Sequence, residues 1–162
     1  MIKAILACDN CGGVSKEGTM PWPKNSKDLG WFKKNTLGQT IVMGSTTWKD
    51  PFMPGPLPKR TNVLVTTKKE NHPGAHIYIE GSLDKEITEL SKQNEKLTTW
   101  IIGGPKIINQ TLNIIEEFYL SRIPGDYKCD TFLPLKKIEN IFEKSWIENH
   151  EDVEFQIWKR RK

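Results

Sequence analysis

Short apolar runs separated by polar segments predict the strands of this chain. Residues 2–8 and 40–44 are nearly all apolar, as in strands that are covered on both faces of a sheet. Residues 142–149 and 153–159 alternate apolar and polar side chains, which predicts an antiparallel hairpin. Further strands are predicted at residues 61–66, 76–80, 99–102 and 117–124.

Helical patterns lie between these strands. Asn25 or Ser26 is the expected cap of a helix that Gly38 ends, and Ser82 is the expected cap of an amphipathic helix that reaches about residue 93. Two shorter helices are predicted at residues 45–48 and 105–112. The predicted loops are residues 9–19, with three glycines, and 50–58, with four prolines.

Strands that alternate with helices before a terminal hairpin predict an α/β fold. We expect one domain over residues 1–162, built on a central, mainly parallel twisted sheet of about eight strands with an antiparallel C-terminal hairpin and about four flanking helices. Such sheets bind ligands beyond the carboxyl ends of their strands, which here fall at Cys8, Gly44, Thr66 and Gly103.

Composition narrows the class of function. No apolar run reaches the length of a membrane span, the first residues lack a secretory leader, and the net charge of +4 suits small anions at least as well as nucleic acid. We therefore expect a cytoplasmic protein without a membrane or nucleic-acid partner. A monomer is also expected, because a chain of this size shows no exposed apolar stripe in its pattern.

The cysteines and histidines do not predict a metal centre. Cys8 and Cys11 have the C-x-x-C spacing, and His72 and His76 lie four residues apart. About sixty residues separate the two pairs, whereas zinc fingers place them about 12–15 residues apart. An odd total of three cysteines also argues against a disulfide framework.

Asp28 is the strongest candidate for chemistry. At about 100° per residue, Asp28, Leu29 and Phe32 share one face of the first helix. Asp28 is either a solvated first-turn acid that the helix dipole favours, or a buried carboxylate that accepts hydrogen bonds from adjacent N–H groups of a ligand. The sequence of this helix leaves both interpretations open.

A pair of glycines marks a second candidate site. Gly103 and Gly104 join a strand to a helix that Pro105 opens, which is typical of a backbone that approaches a phosphate closely, although such pairs also form ordinary tight turns. The hydroxyls of residues 45–47 are either an anion cradle or ordinary helix caps.

Over nearly its whole length the chain resembles the dihydrofolate reductases. The resemblance rests on Met20-Pro21-Trp22, the pattern of residues 28–36, residues 41–44 with Thr47-Trp48, Leu57-Pro58-x-Arg60-x-Asn62, residues 101–104 and Asp130-Thr131-x-x-Pro134. It implies that NADPH reduces 7,8-dihydrofolate to 5,6,7,8-tetrahydrofolate by hydride transfer to C6 and protonation of N5. It also implies a supply of reduced folate to one-carbon metabolism and thymidylate synthesis.

The resemblance implies roles for single residues. Asp28 would hold the pterin and favour protonation of N5, Ser121 would orient Asp28, and Trp22 would hold an ordered water. Arg60 would clamp a carboxylate of the substrate's glutamate; otherwise it is a surface charge. The other implied substrate contacts are Ile5, Leu29, Phe32 and Leu57, with Phe52 or Met53. The implied NADPH contacts are Ala7, Val14, Thr46, Thr47, Thr66, Thr67, Lys68, Ile102, Gly103, Gly104, Pro105 and Lys106.

Two other functions remain open from the sequence. One is a pterin- or pyrimidine-reducing relative of the same fold, against which Arg60 argues because a substrate without glutamate has no use for it. The other is a non-catalytic binding or assembly protein that retains the fold.

Overall fold

The computed structural model describes residues 1–52 and 55–162. Its strands are β1 (Ile2–Cys8), β2 (Gly13–Ser15), β3 (Thr40–Gly44), β4 (Thr61–Val65), β5 (Ile77–Ile79), β6 (Thr99–Gly103), β7 (Glu117–Arg122), β8 (Thr131–Phe132), β9 (Phe142–Asn149) and β10 (Glu154–Arg160). Its helices are α1 (Ser26–Thr36), α2 (Ser45–Trp48), α3 (Leu83–Gln93), α4 (Pro105–Thr111) and α5 (Leu135–Ile141), with a 3-10 turn at Lys69–Asn71.

Eight of the strands form one sheet in the order β5-β4-β3-β6-β1-β7-β10-β9. The pairs from β5 to β7 are parallel, whereas β10 is antiparallel to β7 and β9 is antiparallel to β10. This arrangement confirms the prediction of a mainly parallel sheet that ends in an antiparallel hairpin. The carboxyl ends of β4, β3, β6 and β1 are therefore neighbours along one side of the sheet.

The sheet is apolar on both faces, which explains the continuous hydrophobic runs. Successive residues of β3 pack into different clusters, since Ile41 and Met43 lie in one cluster and Val42 lies in another. Val63 and Leu64 of β4 divide between the same two clusters. Side chains alternate across a strand, so each run supplies both halves of the core.

Some local structure differs from the prediction. Helix α5 was not expected from the sequence, because Ile138 is its only buried residue and no strong apolar period marks it. The short strand β2 lies within the predicted loop of residues 9–19 and pairs with β8, a strand that was not predicted. Ser82 occupies the cap position of α3 but donates to Asp84 Oδ1 at 3.0 Å instead of accepting a first-turn N–H. Across the described residues, no helix has both the length and the apolar character needed to span a bilayer.

Candidate active site

A cleft of about 850 Å³ opens where four neighbouring parallel strands end. Ala7 of β1, Gly103 of β6, Gly44 of β3 and Val65 of β4 all line it. Because adjacent strands lie about 4.8 Å apart, the cleft extends about 14 Å across the sheet. This is the position that the sequence analysis predicted for a ligand site.

Asp28 lies at the β1 end of this cleft, on the first turn of α1. Asn25 caps the helix, because its Oδ1 accepts a hydrogen bond from Asp28 N at 2.9 Å. The Asn25 amide also donates to the carbonyl oxygen of Asp152 at 2.9 Å, which ties the start of α1 to the β9–β10 turn. Leu29 and Phe32 line the same end of the cleft. The local sequence therefore determines the cap, whereas a turn that is distant in sequence determines where the cap lies.

The Asp28 carboxylate is buried in an apolar setting. Asp28 is only 8% exposed. Burial raises the pKa of Asp28 above its ordinary value, and the nearby Ser121 hydroxyl partly opposes this effect. The structure therefore favours the second of the two interpretations, a buried acid that faces a ligand site.

Ser121 is a buried hydroxyl close to Asp28. It is 1% exposed, and its Oγ has no hydrogen-bond partner among the residues that the structure describes. It is close enough to the Asp28 carboxyl to lower that group's pKa, although it makes no bond of regular geometry to it. A buried hydroxyl without a partner is costly, so this side chain is available to orient Asp28.

Asn62 shapes the loop that carries Leu57 and Arg60. Its side chain is fully buried, with Oδ1 accepting from Leu57 N and Nδ2 donating to Leu57 O, both at 2.9 Å. A further bond joins Nδ2 to Arg60 O at 3.1 Å. Leu57 thereby packs into the cluster that contains Ile5 and Phe32, behind the Asp28 end of the cleft.

Arg60 is held beside Phe32, which lines this end of the cleft. Its Nε donates to Thr36 Oγ1 and its Nη1 to Pro58 O, each at 2.9 Å. The guanidinium carbon lies 5.8 Å from the centre of the Phe32 ring. No carboxylate within the described residues forms an ion pair with Arg60. The guanidinium keeps free N–H groups for an anion, although Arg60 and Leu57 line a separate groove instead of the cleft itself.

The glycine pair forms the middle of the cleft. Gly103 has φ of +133°, and a Cβ at this position would lie 3.2 Å from Thr47 Oγ1. A Cβ on Gly104 would lie 3.9 Å from the same oxygen. The absence of side chains leaves the Thr47 hydroxyl and the strand end accessible to a ligand. These residues therefore fit a dinucleotide that passes close to the backbone here.

The structure brings together thirteen of the expected site residues along the cleft. They are Ile5, Ala7, Val14, Asp28, Leu29, Phe32, Thr46, Thr47, Ile102, Gly103, Gly104, Pro105 and Lys106.

Several other expected residues do not line the cleft. Trp22 is buried in a cluster with Ile123, Val153 and Phe155. Met20 packs against this cluster and lines the cleft, whereas Trp22 does not reach the cleft surface. Thr66, Thr67 and Lys68 follow Val65 onto the partly or fully exposed surface, because the chain turns away after β4. Phe52 is 41% exposed, and Met53 lies outside the described residues.

Other residues that line the cleft were not predicted from the sequence. Ser15 and Thr131 reach the cleft because β2 pairs with β8, and two strands of two or three residues leave no periodic signal. Asp84 lies on the first turn of α3, whereas Asn113 follows the end of α4, so the two are distant in sequence. The hydroxyl and carboxylate types at 82–84 were a possible signal, but they resemble an ordinary helix start.

Asp9 anchors the loop that covers one side of the cleft. The residue is fully buried, and its carboxylate accepts from Gly13 N at 2.8 Å, Cys11 N at 2.9 Å and Tyr127 N at 3.0 Å. Cys129 Sγ lies 3.6 Å away. One side chain therefore joins the segment between β1 and β2 to the segment before β8, and β2 carries Val14, which lines the cleft.

Among residues 1–52 and 55–162, no three His, Cys, Asp or Glu side chains are placed to share a metal ion. All three cysteines are free thiols. The His76 Nδ1 atom instead accepts a hydrogen bond from Asn62 N at 2.8 Å.

Together the fold and cleft define an α/β protein with a dinucleotide-sized site along its strand ends and a buried acid at one end of that site. The sequence profile of the dihydrofolate reductases matches residues 1–160. The chain therefore belongs to the dihydrofolate reductase family, a family of oxidoreductases.

Individual relatives agree with this assignment. The chain is 31% identical to a dihydrofolate reductase of Buchnera aphidicola subsp. Baizongia pistaciae, over 98% of each chain. It is 36% identical to a protein of Oryza sativa subsp. japonica named for bifunctional dihydrofolate reductase-thymidylate synthase, over 75% of this chain but 28% of that protein. The fold matches that of a dihydrofolate reductase from Enterococcus faecalis complexed with NADP(H) and RAB-propyl, with a TM-score of 0.79 at 24% identity over 100% and 97% of the two chains.

Proposed function

We propose that this chain is an NADPH-dependent dihydrofolate reductase. It reduces 7,8-dihydrofolate to 5,6,7,8-tetrahydrofolate, with a hydride delivered to C6 and a proton to N5. The observation that carries the proposal is the buried Asp28 carboxylate beside Leu29 and Phe32 at one end of the cleft. Membership of the dihydrofolate reductase family supports it.

Asp28 binds the reducible ring. A pterin presents a ring N–H beside an exocyclic amine, and the two carboxylate oxygens accept both in parallel. Since water is largely excluded from Asp28, each of these hydrogen bonds is stronger than it would be at the surface. The bound carboxylate fixes the ring's orientation and favours a positive charge on it, which assists the protonation of N5.

Ser121 and Trp22 act as positioning residues in this proposal. The Ser121 hydroxyl, which lies close to the Asp28 carboxyl and has no other partner among the described residues, would donate to it when substrate binds and limit its rotation. Trp22 packs edge-on against Tyr127 with ring centres 5.9 Å apart, which anchors the segment that carries Met20 into the cleft. The ordered water expected beside Trp22 belongs to the same proposal.

The remainder of the substrate lies between the cleft and Arg60. Ile5, Leu29, Phe32 and Leu57 supply apolar walls for the pterin and the benzoyl ring. Arg60, whose Nε and one Nη1 hydrogen are already bonded, offers its remaining N–H groups to a glutamate carboxylate. Thr36 and Pro58 fix the plane of the guanidinium, so little freedom is lost when a carboxylate binds.

NADPH, when bound, supplies the hydride. Gly103 and Gly104 let its diphosphate approach the strand end, and the Thr47 hydroxyl lies within reach of it. The backbone of Ala7 and Val14 meets the nicotinamide amide at the β1 end. By the same proposal Thr66, Thr67 and Lys68 contact the adenosine end from the surface.

The proposed product is a one-carbon carrier. We place the protein in the cytoplasm as a monomer that supplies one-carbon metabolism and thymidylate synthesis. The support for this placement is the family assignment.

The test is the loss of NADPH absorbance when purified protein is mixed with 7,8-dihydrofolate. A parallel reaction uses a reduced pterin that lacks the benzoyl-glutamate tail. We expect fast turnover of dihydrofolate and slow turnover of the truncated pterin, because Arg60 and the apolar walls have nothing to bind in the second case. Preference for the truncated pterin would favour a pterin reductase, and no turnover of either would favour a binding protein.

A further inference from the structure

The end of the cleft opposite Asp28 carries a carboxylate of its own. Asp84, on the first turn of α3, lines the cleft beside Leu83 and Val65, at the β4 side of the sheet. The charged residues that line the cleft in the described part of the chain are Asp28, Asp50, Asp84 and Lys106. A site for an anionic dinucleotide is thus walled by three acids and one lysine.

Hydrogen bonds hold the Asp84 carboxylate in place. Its Oδ1 accepts from Ser82 Oγ at 3.0 Å and from Lys85 N at 2.9 Å, and its Oδ2 accepts from Asn113 Nδ2 at 3.4 Å. These bonds lower the pKa of Asp84, so it is charged at neutral pH. No lysine or arginine of the described residues forms an ion pair with it.

The geometry of the cleft decides which part of a cofactor meets Asp84. The nicotinamide must lie near the Asp28 end, because hydride transfer requires contact with the reducible ring. The dinucleotide then passes Gly103, Gly104 and Thr47 in the middle and ends about 14 Å away, at the β4 side. The adenosine ribose therefore lies at the end that Asp84 lines.

We propose that Asp84 recognises the hydroxyls of this ribose, and that the cleft accordingly accepts NADH as well as NADPH. A carboxylate accepts a hydrogen bond from a ribose 2′-hydroxyl, whereas it repels a 2′-phosphate. The length of α4 separates Lys106 from Asn113, the partner of Asp84. Lys68 is exposed and does not line the cleft, so Asp84 is closer to the cleft at this end than either lysine. The reaction stays balanced: the substrate gains a hydride from NADH and a proton from water, and NAD⁺ is released.

The orientation of the dinucleotide in this inference rests on the proposed function, so the test measures binding, which does not require turnover. Isothermal titration compares ADP-ribose with 2′-phospho-ADP-ribose, which differ only in the 2′-phosphate, and compares NADH with NADPH. We expect the two members of each pair to bind wild-type protein within about tenfold of each other. Asp84→Asn should shift both ratios about three- to tenfold towards the phosphorylated ligand, with a smaller shift at high salt.

Glu89→Gln is the matched control, because it removes one negative charge from an exposed position of the same helix that does not line the cleft. Its ratios should stay at the wild-type value. Asp84→Ser also removes the charge but introduces no amide group, so it repeats the test with a different side chain. The melting temperature of each variant shows whether it is folded.

Three results would overturn the inference. They are a preference of wild type for the 2′-phosphorylated ligands beyond about tenfold, an unchanged ratio in both Asp84 variants, and an equal shift in the Glu89 control. Binding of both dinucleotides without reduction of dihydrofolate would instead contradict the proposed function and leave this inference intact.

Discussion

Replacing Asp28 with asparagine tests the part of the site on which the chemistry depends. Asparagine has nearly the same shape, and it keeps one acceptor oxygen but presents an amide donor where the second oxygen stood. One of the two parallel N–H groups of the pterin then faces another donor in a site that is only 8% exposed. The perturbation is therefore chemical, with little change in packing.

The expected loss follows from the hydrogen bonds involved. A bond to a charged group contributes about 1.5–3 kcal/mol, and an unpaired buried donor costs about 1–3 kcal/mol. A combined effect of about 3–4 kcal/mol on the transition state corresponds to a decrease of about 10²- to 10³-fold in kcat/KM. In the proposed arrangement NADPH makes no contact with this carboxylate, so its Kd should stay near the wild-type value.

Steady-state kinetics of Asp28→Asn as a function of pH provide the measurement. The deficit should be largest near neutral pH and should shrink in acid, because solvent then protonates the substrate without help from the carboxylate. Glu89→Gln, an exposed loss of one charge, serves as the control. Wild-type turnover in Asp28→Asn at neutral pH would refute the assignment of Asp28 as the group that holds the substrate.

The same variant has a predicted effect on stability. Burial raises the pKa of Asp28 in the folded protein above its ordinary value of 3.8, so the native state binds this proton more tightly than the unfolded chain. The free energy of unfolding of the wild type should therefore fall as pH rises through the interval between the two pKa values. Urea unfolding should show Asp28→Asn to be more stable than wild type at neutral pH, with the difference vanishing below the ordinary pKa. A variant less stable than wild type at neutral pH would show that the folded protein stabilises the charged carboxylate.

Three further substitutions follow from the geometry. Arg60→Lys loses the planar guanidinium beside Phe32, so it should raise KM for dihydrofolate about tenfold. KM for a pterin without the tail should stay unchanged, and equal changes for both substrates would place Arg60 outside the tail site. Gly103→Ala adds a Cβ 3.2 Å from Thr47 Oγ1 at a residue with φ of +133°. It should weaken NADPH binding at least tenfold in a titration, and unaltered affinity would argue against close approach of the cofactor. Asp9→Ala removes a fully buried acceptor of three backbone N–H groups and should destabilise the protein by about 3 kcal/mol. The melting temperature should then fall by about 10 °C, whereas an unchanged melting temperature would show that water replaces the carboxylate.

Local patterns determined much of the fold. The strands at residues 2–8 and 40–44 were predicted at the boundaries observed, because a strand covered on both faces is apolar at every position. Asn25 was one of the two predicted caps of the first helix, and the structure shows that it is the cap, since its side chain accepts from an N–H three residues later, within one turn. The sequence also placed the candidate loops at strand ends, since that follows from alternating strands and helices.

Tertiary structure alone decided the state of Asp28 and the neighbours of the cleft. Whether Asp28 was solvated or buried depended on Ser121 of β7 and on the turn at Asp152, and no local pattern reports on residues so far along the chain. The position of Asp84 opposite Asp28 depended on the order of strands in the sheet. Hydrogen bonds and side-chain period act within a few residues, so they specify elements, whereas burial and charge in a site are set by packing between elements distant in sequence.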